Sequence, residues 1–304
     1  MKKSLFIPAL LIIAALVIIG ALYINSRNTS LPISEIYSIQ APTAHGGTPV
    51  AQPINAQGVP VLIYHTISAA DIKGSYGSIS LSLFREQLDY LKQEGYTTIS
   101  LDDLYGYMTS SKNIQNKSIV LSFDDTNESD YTIAFPELKN RGFKGVFFTV
   151  GSRAMASSWT AKLQEMYSGG MEIASHTMNH RYSGGGPDTK GVRTETDSDE
   201  TIRYELEESK RILENITGSE IKYLAWPGDS YTESMIRTAQ DAGYKGLFMA
   251  KTAYTANVME HPVSISGFNN AGDEVLHIKR ITVHGANSID DFKSLLRDGI
   301  YPRF

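Results

Sequence analysis

Ser118-Ile119-Val120-Leu121-Ser122-Phe123-Asp124-Asp125-Thr126 is the stretch on which the fold turns. Its opening residues, Ser118 to Leu121, are an apolar, β-favouring run that reads as a buried strand. Two adjacent carboxylates at the end of such a strand repel each other and lose hydration. A cation at that point offsets the cost. One carboxylate can bind it while the neighbour stays free as a base. About fifty residues later comes His176-Thr177-Met178-Asn179-His180, directly after a second strand-like run, Gly170 to Ser175. Two imidazoles and one carboxylate make a three-ligand site with positions left open for water, as in hydrolytic zinc centres. Taken singly, an Asp-Asp pair reads as a solvated turn. The two motifs together, each at a strand end, point to a metal.

Outward from this stretch, strands alternate with helices. Pro60 to His65 reads as the first strand, and Phe84, Leu88 and Leu91 mark one face of a helix over Ser82 to Glu94, stopped by Gly95. A short strand over Thr97 to Leu101 and a helix over Asp102 to Met108 precede the Asp-Asp strand. A helix to about Asn140, broken or delayed by Pro136, follows it. The spacing then predicts strands at Gly145 to Val150, Ile221 to Trp226, Lys245 to Ala250 and His277 to Val283. Helices are predicted at Trp159 to Tyr167, Glu200 to Asn215, Thr232 to Ala242 and Ile289 to Leu296. Tyr182 to Asp199, rich in Gly, Asp and Thr, reads as a loop. About seven alternations call for parallel strands with crossover helices, an α/β fold. The periodicity leaves open whether that sheet is open or closed; in either form chemistry gathers at the C-terminal ends of the strands.

The N-terminal part reads differently. Lys2 and Lys3 precede Leu5 to Ile24, twenty residues without a charge. That length spans a hydrocarbon core of ~30 Å as a helix, and the lysines place the N-terminus inside the cell. The stretch exceeds the usual apolar core of a cleaved leader, and no Ala-x-Ala site stands ahead of Asn25. Residues 1–27 are therefore expected to be an uncleaved signal anchor, with the protein in the cell membrane as a single-pass chain. Residues 28–57 hold Pro32, Pro42, Pro49 and Pro53 with Gly46-Gly47 and read as a flexible linker. Residues 58–304 are the remaining, catalytic domain.

Composition narrows the rest. Among the 304 residues the net charge is −5 and no basic block occurs, which argues against nucleic acid as a partner. There is no cysteine, so disulfides and thiolate metal sites are excluded. A monomer is expected.

The two motifs, Phe123-Asp124-Asp125 and His176-Thr177-Met178-Asn179-His180, resemble those of the polysaccharide deacetylase family, carbohydrate esterase family 4 with its NodB homology domain. The resemblance covers roughly Pro60 to Leu296. It implies a distorted, incomplete (β/α) barrel of about seven parallel strands. It also implies a divalent metal on Asp125, His176 and His180, zinc first, with cobalt, nickel or manganese as alternatives, and Asp124 as catalytic base. Ala225-Trp226-Pro227-Gly228 matches the third family motif in part. Many members brace the base with an Arg where this chain has Ala225, so any brace must come from elsewhere. The Tyr often found after Pro is Gly228 here, whose backbone N–H remains a candidate oxyanion donor. Trp226 and Pro227 are candidates for the substrate side of that turn. The late Trp motif is absent. For the family's late His, the general acid, the candidates are His284, just past a strand, and His277. His65 closes the first strand as Tyr-His; it either lines the site, supports it from behind, or is a plain strand-end histidine.

These readings imply removal of N-acetyl groups from an N-acetylglucosamine-containing extracellular or cell-wall polysaccharide. The alternatives are an O-acetyl esterase on a glycan and a sugar-binding pseudoenzyme with a degenerate site. The expected partners are an acetylated polysaccharide and, through the N-terminal helix, the membrane.

Overall fold

In chain order the elements of the computed structural model are β1 (Val59–Tyr64), β2 (Thr66–Ser68), β3 (Ser78–Ser80), α1 (Leu81–Gln93), β4 (Thr97–Thr98), α2 (Leu101–Ser110) and β5 (Ser118–Asp124). A π-helical turn, Asp130–Ala134, leads into α3 (Phe135–Arg141), followed by β6 (Val146–Thr149), α4 (Gly151–Ala154), α5 (Ser157–Ser168) and β7 (Glu172–Ser175). Then come β8 (Gly184–Pro187), β9 (Arg193–Thr196), α6 (Asp199–Thr217) and β10 (Tyr223–Ala225). After a 3-10 turn at Pro227–Asp229, the chain finishes with α7 (Glu233–Asp241), β11 (Gly246–Ala250), β12 (Phe268–Asn269), β13 (Ile278–Thr282) and α8 (Ile289–Asp298). The structure describes residues 58–70, 77–110, 112–187, 193–250 and 267–299, all within a unit spanning residues 52–304. The expected signal anchor and linker lie outside these residues, as do His45 and His261. No helix among the described residues is long and apolar enough to cross a membrane.

Seven of the strands pair in parallel in the order β1, β5, β6, β7, β10, β11, β13, and β13 pairs back onto β1. The expected seven-stranded α/β barrel is present, one strand short of the common eight. Its irregularities are local. β5 gives its first residues to β4, at Thr97↔Ser118 and Thr98↔Ile119, and its later ones to β1, from Val61↔Val120 to Tyr64↔Phe123. Between β7 and β10 the ladder shrinks to a single pair, Leu224↔Ser175.

Side chains alternate across each strand, so residue parity decides which face they meet. Val61, Val120, Val146, Phe148, Ala174, Ala225, Phe248 and Ile278 form one buried cluster, the filling of the ring, joined by Leu101, Leu104, Tyr107 and Met108 of α2. The alternate set, with Leu62, Leu121, Phe123, Phe147, Ile173, Leu224, Leu247 and Ile281, packs with the helices in a second cluster. Fully burying each such side chain stabilises by about 1.5–3 kcal/mol.

Local signals set the helix ends. Ser80 Oγ accepts the Leu83 N–H to cap α1, and Ser198 Oγ accepts the Thr201 N–H to cap α6. Asp199 and Glu200 in the first turn of α6 favour its positive dipole end. The expected strand over Thr97 to Leu101 is shorter. Ser100 Oγ accepts the Asp103 N–H while the Asp103 carboxylate accepts the Ser100 N–H, and helix α2 begins at Leu101. The expected loop over Tyr182 to Asp199 also differs: it contains the antiparallel pair β8 and β9.

Candidate active site

β5 ends in an abrupt turn. Its parity, Val120, Ser122, Asp124, carries Asp124 inward at the C-terminal end of the strand. Asp125 and Thr126 then adopt positive φ, +79° and +59°. Non-glycine residues rarely do so, and such strain persists only where surroundings fix it. Here the Asp130 carboxylate accepts the Asn127 N–H at 2.8 Å, and Asn127 Nδ2 donates to the Asp124 carbonyl at 3.1 Å. Thr126 Oγ1 accepts the Val150 N–H at 2.8 Å, and Arg153 donates to the Asp125 carbonyl. Burial drives the Asp130 carboxyl well above its ordinary value.

The His-x3-His segment is held from the other side. Thr177 and His180 also have positive φ, +62° and +57°. Glu205 of α6, buried on that helix's apolar face, accepts both the Asn179 N–H and Nδ2–H at 2.7 Å. His176 Nδ1 lies 2.8 Å from the Ala225 carbonyl, a partner that can only accept. That fixes the proton on Nδ1 and leaves Nε2 as the open lone pair. Nε2 of His176 lies 3.4 Å and Nε2 of His180 2.9 Å from Asp125 Oδ1. The three ligand atoms all lie within 4.8 Å of one another. Two imidazoles and a carboxylate at this spacing, with one tautomer preset, fit a divalent ion with nitrogen and oxygen preference. Burial opposes ionisation of Asp125, but the imidazoles of His176 and His180, when Nε2 carries a proton in place of an ion, outweigh it by hydrogen bond and charge and hold the carboxyl far below its usual range.

Asp124 has a different environment. Arg280 of β13 reaches it with both guanidinium arms, Nη1 to Oδ1 at 2.7 Å and Nη2 to Oδ2 at 2.9 Å. The pair is almost fully buried, and the guanidinium lies 4.9 Å over the Phe148 ring. Burial pushes the Asp124 carboxyl up; Arg280, then His176, overcome this and keep it ionised. Arg280 is thus the brace that Ala225 cannot provide, and the sequence reading did not name it. Parity was the signal: Arg280 shares a face with Ile278, which fills the ring.

The remaining candidates fall on both sides of this cluster. Burial lowers the His65 imidazole, against the pull of Asp124 and Asp125, and its Nδ1 is buried without a hydrogen-bond partner. His284 is buried close enough to His65 to feel its charge, and burial followed by that charge lowers it as well. His277 instead pairs with Glu274 at 3.0 Å, outside the cluster. Trp226 does not line the site. One residue past inward-facing Ala225, its indole turns outward into the helix-covered core and stacks on Tyr231. Pro227 is buried at the start of the turn, and Gly228 sits at φ +57°. Asp229, also missed from sequence, accepts the Ala250 N–H, and burial raises its carboxyl to about 6.

Comparison with known proteins agrees with the geometry. Residues 111–247 match the family model for polysaccharide deacetylase. The chain is 25% identical over 191 residues to the poly-beta-1,6-N-acetyl-D-glucosamine N-deacetylase of Escherichia coli K12, covering 57% of this chain and 27% of that protein. It is 26% identical over 141 residues to the peptidoglycan-N-acetylglucosamine deacetylase of Bacillus cereus, covering 46% of this chain and 60% of that one. Both matches span less than two thirds of the relative's length. Its fold is similar to that of the Streptococcus pyogenes deacetylase PplD solved with acetate, with a TM-score of 0.64 at 22% identity over 79% of this chain and 98% of that chain. Residues 111–247 thus resemble the polysaccharide deacetylase family in sequence, and the fold is similar to that of a solved deacetylase.

Proposed function

We propose that this chain is a metal-dependent hydrolase that removes N-acetyl groups from an N-acetylglucosamine-containing polysaccharide outside the cell. One observation carries the reading: an ionised, buried Asp124, braced by Arg280, stands beside the cluster of Asp125, His176 and His180. A module that only binds sugar has no need of a free buried carboxylate next to such a cluster. The relatives named for action on poly-N-acetylglucosamine and peptidoglycan support the substrate class.

Asp125, His176 and His180 would hold the ion, with zinc favoured by the donor set. When bound, such an ion supplies a Lewis acid that polarises the acyl oxygen and acidifies water. Asp124 is the proton acceptor. Arg280 occupies one direction on each of its oxygens, and each retains a further lone pair for the water proton. The Gly228 N–H is the candidate backbone donor for the developing oxyanion. His284 is the candidate that returns a proton to the departing amine. The uncharged stretch Leu5 to Ile24 supports a place in the cell membrane with the catalytic domain outside. Recovery of the full chain in the soluble fraction would refute that placement.

The test of the activity is acid release by the zinc-loaded protein from N-acetylated and O-acetylated glycans, with Asp124→Asn as control. Asp124→Asn should keep the metal ligands and lose ~10²–10⁴-fold in rate, with a loss of stability because Arg280 keeps a buried charge without its carboxylate. Release from O-acetylated glycans alone would make the chain an esterase. Wild-type turnover by Asp124→Asn would overturn the assignment of the base, and inactivity of the wild type on every glycan would favour the binding module.

A further inference from the structure

The segment after His180 is stapled to the turn at Gly228. The Gly184 N–H donates to the Ser230 carbonyl at 3.2 Å, Ser230 Oγ donates to the Gly185 carbonyl at 3.0 Å, and the Gly185 N–H donates to the Tyr182 carbonyl at 3.0 Å. Arg181 adds a two-armed pair to Asp197, at 2.8 and 2.5 Å. This strap seats the Tyr182 ring directly on the Gly228 backbone. A Cβ at 228 would lie 2.6 Å from Tyr182 Cδ1 and closer still to Cε1, so only glycine allows the seat. The same ring stands edge-on to His180, with centroids 5.9 Å apart at 86°. Tyr182 therefore touches both the outer imidazole of the metal-ligating cluster and the turn that carries the candidate oxyanion donor.

We propose that Tyr182 is a specificity-determining residue whose ring forms one wall of the acyl pocket, admitting an acetyl group and excluding longer acyl chains. The inference rests on the hydrolase reading. With an acyl group lodged between His180 and the Gly228 turn, carbons beyond its methyl group would meet this ring. The wall is stiff because its support is main chain on one side and a ligand imidazole on the other.

The test uses the full, zinc-loaded chain with N-acetyl, N-propionyl and N-butyryl glucosamine oligomers. One methylene in a sized apolar pocket discriminates by about 10–200-fold. Tyr182→Ala should raise the propionyl-to-acetyl ratio of kcat/KM by roughly that factor, and Tyr182→Phe should leave the ratio in place. Gly228→Ala, which unseats the ring, should shift the ratio the same way, and the double variant should go no further than Tyr182→Ala. An unchanged ratio in Tyr182→Ala, with acetate still released, would overturn the wall. Calorimetric binding of acetate and butyrate supplies a readout without turnover. Wild type should prefer acetate and Tyr182→Ala should lose that preference; equal affinities in wild type would likewise overturn the wall. Absence of acid release by wild type, with the acetate preference intact, would refute the hydrolase reading alone.

Discussion

Replacing Arg280 by Leu should destabilise the fold and switch off the base by the same physical step. The variant removes two charge-assisted hydrogen bonds, 2.7 and 2.9 Å long, from a carboxylate that is 3% exposed. Breaking a buried pair by deleting one partner costs about 3–5 kcal/mol, because the other charge stays behind without compensation. Loss of the guanidinium over Phe148 places Arg280→Leu at the upper end of that range. The pH dependence should then invert. In the wild type Asp124 is depressed, so its stabilisation is present above the ordinary carboxylate value and is lost as pH falls through the lower folded value. Without Arg280, burial prevails and the carboxyl rises. The variant then loses stability as pH climbs through that raised value, so its deficit is largest at neutral pH and shrinks in acid. Urea unfolding followed by circular dichroism at several pH values measures this, and the acid limb of the acetate-release profile should move up with it. Arg280→Lys, which keeps the charge but not the fork, should fall between. A deficit under ~1 kcal/mol at neutral pH, or one independent of pH, would refute the reasoning.

Three further outcomes are expected. His176→Ala and His180→Ala should each lose the bound ion on metal analysis, and chelation should lower wild-type stability by about 2.7 kcal/mol if the ion had been at a hundred times its Kd; full occupancy in both variants would contradict the ligand set. Burial raises Glu172 to about 7 from 4.5, against the hydrogen bond it accepts from the Leu101 N–H, so the folded chain holds a proton that the unfolded chain releases. Stability should fall as pH rises across that interval, and Glu172→Gln should flatten the slope; an unaltered slope would count against it. A fragment beginning near Gln57 should be soluble and folded by circular dichroism, and an unfolded fragment would move the domain boundary.

Much of the ring could be read from the chain because its strands are short apolar runs punctuated by glycine and proline. Asp125, His176 and His180 were legible because each follows such a run, and the structure brings their ligand atoms together. What escaped depends on which of two alternating faces looks inward. In β13 both Ile278 and Ile281 are buried, in different clusters, so hydrophobicity alone does not say whether Arg280 or Lys279 enters the ring. The same ambiguity made Trp226 a site candidate, although its neighbour Ala225 faces inward. Tyr182 was hidden for another reason. Its seat depends on a strap docked against a turn some forty-five residues away, and no periodicity marks the Gly, Asp and Thr-rich segment that forms it.

The ladder that joins β13 to β1, at Leu62↔Ile281 and Ile63↔Thr282, ties together segments more than two hundred residues apart. Such non-local pairing is slow, since a long loop must close before any contact rewards it. It also sets an order of events during synthesis. Until the segment around Arg280 has emerged, Asp124 has no partner, and the carboxylate sits at an unsealed edge of β5 and β1. A nascent chain can fold its β5–β6–β7 units early, yet it cannot hold an ionised base in a dry interior. Catalytic competence would therefore arrive with the last strand, and turnover in a refolding experiment should lag the recovery of helical signal.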